Sequence, residues 1–154
     1  MAHLPGYTLF RCDRRGRVGG GVGLYIIDTL DATVLRHSDC SGESEPEYII
    51  VEGRLQGSAC ILWATVYRPP NVGRLQDFFD LFMELQANYM HAVIMGDFNA
   101  DMNVITYDSQ LINSFVSSSS LFLVPYQSTH NLQHSSTLID LCIFDDSAKV
   151  KSYG

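Results

Sequence analysis

The sequence predicts an α+β protein in which two β-sheets pack face to face with helices on their outer faces. Three observations carry this. Strand-like segments follow one another from Tyr7 to Tyr67, the hydrophobic period changes to a helical one after Pro69-Pro70-Asn71, and an apolar strand then runs into the polar Gly96-Asp97-Phe98-Asn99-Ala100-Asp101. Mostly-β patterning with helices confined to the second half suits a layered sandwich.

Tyr7-Thr8-Leu9-Phe10 and Gly21 to Ile27 read as two strands of a hairpin joined by the polar, glycine-rich stretch Arg14 to Gly20. Further strands are expected at Ala32 to Leu35, Tyr48 to Glu52 and Ala59 to Tyr67, separated by turn-rich segments. Leu75, Phe78, Phe79, Phe82, Leu85 and Tyr89 recur three or four apart, which marks an amphipathic helix. Ala92 to Met95 form a short buried strand. A second helix is expected from Asp108, as N-cap, through Leu111, Ile112, Phe115 and Val116. Two last strands fit Leu138 to Phe144 and Ala148 to Ser152.

A chain of 154 residues is sized for a single domain that buries about 70% of its unfolded surface. Its 46% hydrophobic content separates it from disordered chains. No apolar run reaches the length of a membrane span, and the N-terminus has no secretory-signal pattern. The four cysteines lack metal or redox spacing, so reduced thiols in an intracellular protein are expected. A net charge of −7 disfavours nonspecific polyanion binding, yet a nuclease is compatible with it, because a bound divalent cation offsets repulsion at an acidic site.

Candidate chemistry concentrates where strands end. In extended geometry Asp97 and Asn99 project to the same side, which places a carboxylate and an amide in one small site. Phosphodiester hydrolysis needs an activated water, neutralised phosphate charge and donors for the developing oxyanions. Asp97 could take the first or second task and Asn99 the third, although Gly-Asp-x-Asn is equally the composition of a plain turn. Tyr67 and Arg68, fixed by the prolines behind them, suit a phosphate; an aromatic at a sheet margin beside a solvated arginine is the plainer alternative. Asp140 interrupts the apolar strand Leu138 to Phe144 and, if buried, needs either a structural donor or a histidine that it orients. Arg14, Arg15 and Arg17 form either a solvated hairpin tip or a contact to a nucleic-acid backbone. His130 and His134 fall in a loop-like stretch and are expected not to bind metal.

Gly19 to Ile26, Val66-Tyr67-Arg68-Pro69-Pro70-Asn71, Gly96 to Asp101 and Ser136 to Phe144, in that order, resemble the endonuclease/exonuclease/phosphatase family. The nearest likeness is to the endonuclease domain of jockey-type non-LTR retrotransposons, and it spans nearly the whole chain. It implies a four-layered α/β sandwich, Mg²⁺ as cofactor, and DNA nicked to leave a primer end for a reverse transcriptase domain of the same polyprotein. A nuclear site of action is implied if the element is active. Tyr67 would hydrogen-bond at the phosphate, Asp97 would position water and hold metal, Asn99 would stabilise the transition state, and Asp140 would orient a catalytic histidine. Arg68 and Asn71 join the hairpin arginines as expected nucleic-acid contacts.

Two family features have no counterpart. The family's metal-binding glutamate precedes its glycine-rich hairpin, whereas no glutamate here precedes Glu43; its closing Ser-Asp-His motif supplies a histidine, whereas none here follows His134. Residues 1–154 are therefore expected to be one domain truncated at both ends, with little nuclease activity of its own. The alternatives are a non-catalytic nucleic-acid-binding or interaction remnant, or a phosphatase of the same superfamily.

Overall fold

The computed structural model describes residues 3–14, 21–39, 45–54, 57, 59–70, 72–125 and 127–152. Alternating β-branched and aromatic residues build a long mixed sheet of six strands in the order β3-β4-β5-β6-β10-β7. These are β3 (Asp31–His37), β4 (Glu47–Arg54), β5 (Cys60–Tyr67), β6 (His91–Asp97), β10 (Asp140–Phe144) and β7 (Phe122–Leu123). Every neighbouring pair is antiparallel except β5 and β6, which run parallel because helix α1 (Leu75–Gln86) carries the chain back between them.

The sheet separates two cores. On one face α1 and α2 (Tyr107–Ser118) press Phe78, Phe79, Phe82, Ile112 and Phe115 onto Leu62, Ala64, Val66, Ile94, Leu141 and Ile143. Phe79 and Phe115 stack between the helices with centroids 4.0 Å apart and planes within 6°. On the other face the hairpin of β1 (Tyr7–Cys12) and β2 (Val22–Ile27) brings Val22 and Ile26 onto Ile49 and Val51, with Trp63 and Tyr67 packed alongside. The expected sandwich of two sheets with helices outside is thus present. Among the described residues both α-helices lie on the outer face of the six-stranded sheet and neither lies beyond the hairpin. The hairpin contacts β4 and β5, while Met95 on β6 is 41% exposed on the same face.

Several local expectations change. Helix α2 is capped by Thr106, not Asp108: the Thr106 side chain accepts from the Ser109 backbone and Ser109 reciprocates. The strand expected at Ala148 to Ser152 is replaced by a 3-10 turn at Ser147–Lys149, capped by the Asp146 carboxylate. The loop-like stretch around His130 and His134 is a small hairpin of β8 (His130–Leu132) and β9 (Ser135–Thr137). Cys12 is disulfide-bonded, contrary to the expectation of reduced thiols throughout, whereas Cys60 and Cys142 remain thiols. Among the described residues no helix is long and apolar enough to cross a membrane.

Glu47, 2% exposed at the start of β4, fastens the hairpin to the sheet. Its carboxylate accepts from the Arg14 guanidinium and, at 2.7 Å, from the backbone N–H of Gly21, so one buried group grips both stems of the hairpin connection. Removing one side of such a pair strands the other charge. Glu47→Ala is expected to lower unfolding free energy by about 3 kcal/mol, measured by urea denaturation; a change within experimental error would show that the pair holds nothing.

Candidate functional site

The strand register brings the predicted residues together. Glu47 pairs with Tyr67, Tyr67 with Asp97 and Asp97 with Asp140, one residue from each of four adjacent strands. Register partners share a face, so these four side chains form a row about 14 Å long across one end of the sheet. They lie on the hairpin side, because the residues next to them, Val66 and Leu141, belong to the helix-side core. Asp97, Asp140 and Thr129 line an open depression of about 350 Å³ with Met95, Gly96, Leu141 and Cys142.

Gly96 permits the row. Its backbone lies so close to the parallel neighbour that a Cβ would sit 1.8 Å from the Val66 carbonyl oxygen. Any side chain there would push β6 away from β5 and separate Asp97 from Tyr67.

Asp97 and Asn99 do meet, though not by extended alternation. Strand β6 ends at Asp97, and the chain turns through Asn99 in the left-handed region (φ 45°), a conformation that asparagine tolerates. The Asn99 N–H donates to Asp97 Oδ1 at 2.9 Å, and the Asn99 side-chain amide donates to the Arg68 carbonyl at 2.8 Å. Gly-Asp-x-Asn is therefore a turn, and that turn is what brings the two residues together.

Arg68 occupies a different place from the one expected. It is 5% exposed, and its nitrogens donate to the carbonyls of Val72 and Phe98 and, at 2.8 Å, to Asp108. It braces the turn from beneath and presents no guanidinium to an incoming phosphate. Asp108, no longer a cap, is its counter-ion. Arg14 is likewise engaged, with Glu47. Arg15, Arg17 and Asn71 lie outside the described residues.

Asp140 is exposed, because it begins β10 at the sheet end instead of interrupting a buried strand; the desolvation argument for a structural partner lapses. Its backbone N–H and that of Ile139 donate to Thr129 Oγ1 at 3.1 and 3.3 Å. Thr129 lines the candidate depression and was not singled out from the sequence. His130, expected only not to bind metal, stands near enough that its positive form favours the Asp97 carboxylate. The stretch read as loop, and the bonds of Thr129 to the start of β10 are what bring it to the sheet end.

Burial is the main cause that pushes the Asp97 carboxyl above its ordinary 3.8, against the hydrogen bond from the Asn99 backbone, and the Asp140 charge adds to the rise. Among the described residues no group of three or more His, Cys, Asp or Glu side chains is placed to hold a metal ion. Asp97 and Asp140 are two neighbouring hard-oxygen donors, which fits only the Mg²⁺ mode in which one or two carboxylates share the ion with waters and a substrate phosphate.

A carboxyl whose pKa is raised by folding is costly while ionised, and the cost fades as pH falls through the folded pKa. Asp97→Asn is therefore expected to melt higher than wild type at pH 7. The advantage should shrink as the pH is lowered through the carboxylate range, as followed by circular dichroism. Equal melting temperatures at pH 7 would contradict this.

No family model and no curated protein matches the sequence. Solved structures do. The chain is similar to the endonuclease domain of TRAS1, a telomere-specific non-LTR retrotransposon, with TM-score 0.67 and 12% identity over 91% of this chain and 65% of that one. Similar too are endonuclease/exonuclease/phosphatase family proteins from Leptotrichia buccalis C-1013-b (TM-score 0.61, 13% identity, 91% of this chain and 60% of that one) and from Bacteroides thetaiotaomicron (0.61, 17%, 92% and 60%). The chain spans less than two thirds of each of these structures. With Tyr67, Asp97, Asn99 and Asp140 gathered at one end of a two-sheet sandwich, the chain has the endonuclease/exonuclease/phosphatase fold, a non-LTR retrotransposon endonuclease being among the structures that share it.

Proposed function

We propose that this chain is the central part of a Mg²⁺-dependent DNA phosphodiesterase, the endonuclease of a non-LTR retrotransposon, and that the 154 residues alone turn over little substrate. The observation that carries the reading is the register row of Tyr67, Asp97 and Asp140 with Asn99 bonded to Asp97. An amide, a phenol and two carboxylates at one sheet end supply donors for phosphate oxygens and acceptors for a water proton. Tyr67 and Asn99 take the phosphate, and Asp97 takes the water. Mg²⁺, held by Asp97 with Asp140 beside it, supplies charge neutralisation when bound. Asp140 would orient a histidine supplied from outside these 154 residues. A reverse transcriptase in the same polyprotein and nuclear action belong to this proposal.

A lone chain without the glutamate and the terminal histidine lacks a metal ligand and a general acid/base, each worth orders of magnitude in rate. The purified chain with Mg²⁺ is expected to leave supercoiled plasmid at background nicking. A chimera that adds the N-terminal strand with its asparagine and glutamate, and the C-terminal Ser-Asp-His segment, from an active relative is expected to nick. Asp97→Ala in that chimera should lower kcat by at least about 100-fold. A folded chimera with no nicking, or one indifferent to Asp97, overturns the assignment. Robust Mg²⁺-dependent nicking by the 154 residues alone overturns the claim of low activity. DNA binding by a folded but inert chimera would favour the non-catalytic binding module.

The known positions of the arginines give a further expectation. Arg14 is neutralised by Glu47 and Arg68 is buried, so Arg14→Ala should leave the slope of log K against log salt unchanged. A phosphate-bound arginine would reduce that slope by about one, and fluorescence anisotropy across a salt series separates the two.

A further inference from the structure

Among the described residues, the two most exposed large apolar side chains stand two residues apart beside the candidate site. Ile105 is 86% exposed and Tyr107 78%, with Val104 at 52% next to them. A loose loop would explain such exposure, but this segment is fixed. The Val104 carbonyl accepts from Ser109 Oγ at 2.8 Å, the Val104 N–H donates to the Asp101 carbonyl, Thr106 caps α2, and Tyr107 is the first residue of that helix. The structure holds Ile105 and Tyr107 out into solvent on a rigid mount.

That mount is tied to the site. Asp101 Oδ1 accepts from the N–H groups of Asn103 and Leu138, both at 3.0 Å. The Asn103 side chain donates to Ser128 Oγ at 3.2 Å, and Ser128 adjoins Thr129, which lines the depression with Asp97 and Asp140. Ile105 and Tyr107 follow Asn103 by two and four residues, and four residues of chain reach at most about 14 Å, so both backbones stay within that reach of Asn103, which is bonded to this wall of the site. The patch is three side chains, far short of the roughly 20 residues a side of a stable protein interface. It suits one or two base faces. In a chain of net charge −7 with Arg14 and Arg68 already engaged, apolar contact with bases is a means of holding a polynucleotide that does not need phosphate charge.

We propose that Ile105 and Tyr107 form a base-contacting wedge: the Tyr107 ring stacks on an unstacked nucleobase near the phosphate bound at Tyr67, Asp97 and Asn99, and Ile105 fills the gap that the base leaves. This rests on the phosphodiesterase reading, adds a specificity element to it, and favours DNA that is already unpaired or easily opened.

The test uses the 154-residue chain, low salt, Ca²⁺ in place of Mg²⁺, and a labelled oligonucleotide with 2-aminopurine opposite a single-strand gap. Binding by wild type should change 2-aminopurine emission. Ile105→Ser and Tyr107→Ser, both surface changes, should each weaken binding about tenfold, abolish the emission change and leave the salt slope alone, while Tyr107→Phe should retain both. Wild-type binding with serine variants that bind equally well overturns the wedge and leaves the phosphodiesterase reading standing. Absence of any wild-type binding overturns the DNA reading and the wedge with it. Loss of self-association in the serine variants, seen by sedimentation with DNA binding unchanged, would assign the patch to a second copy of the chain and overturn the wedge.

Discussion

The parallel contact between β5 and β6 at Val66 and Gly96 is the constraint on which the rest of the molecule depends. Two strands separated by a helix must approach closely enough for Tyr67 and Asp97 to stand side by side, and the Val66 carbonyl leaves no room for a side chain at position 96. Closure of this crossover also commits α1 to one face, where Phe79 meets Phe115 and brings α2 with it. The helical core and the polar row are therefore consequences of one strand pairing, read on opposite faces of the sheet.

A second layer of control lies beneath the row. The Arg68 guanidinium is buried, and its partners are the Phe98 carbonyl within the site turn, the Val72 carbonyl ahead of α1 and the Asp108 carboxylate on the first turn of α2. A buried charge with satisfied donors is tolerable, whereas one with a missing partner is costly. The turn at Asn99, the entry to α1 and the start of α2 are thus locked to a single group, and Asn99 closes the circuit by donating to the Arg68 carbonyl. Such bracing explains how a non-glycine residue keeps a positive φ where a side chain has to be aimed.

Much of this was legible in the sequence, and the omissions have a common cause. Periodicity located the strands of the first half and helix α1, because those patterns depend only on which face is buried. Gly96 to Asp101 marked the candidate site for the same local reason. What failed was partnership across the chain. Arg68 read as a phosphate ligand because its partner Asp108 is 40 residues away, and Asp108 read as a cap because Thr106 lies two residues earlier with Ser109 as its reciprocal donor. Asp140 read as a buried charge because an apolar strand does not reveal where its sheet ends. Thr129 was passed over, and His130 weighed only as a metal ligand, because a polar nine-residue stretch carries no sign of the carboxylates it will face.

The row also sets an electrostatic problem that the fold leaves open. Asp97 and Asp140 stand on adjacent strands in register, and the Asp97 carboxyl is raised by burial and by its neighbour's charge. The nearby cationic side chains offer little relief, because Arg68 is committed to Asp108 and Arg14 to Glu47. His130 alone among the groups acting on Asp97 favours its charged form through its own charge. A site built this way holds the Asp97 carboxylate at a cost that a proton or a cation would relieve. That charge faces an open depression while Arg14 and Arg68 are already paired, and a carboxyl perturbed in this way marks a candidate functional site.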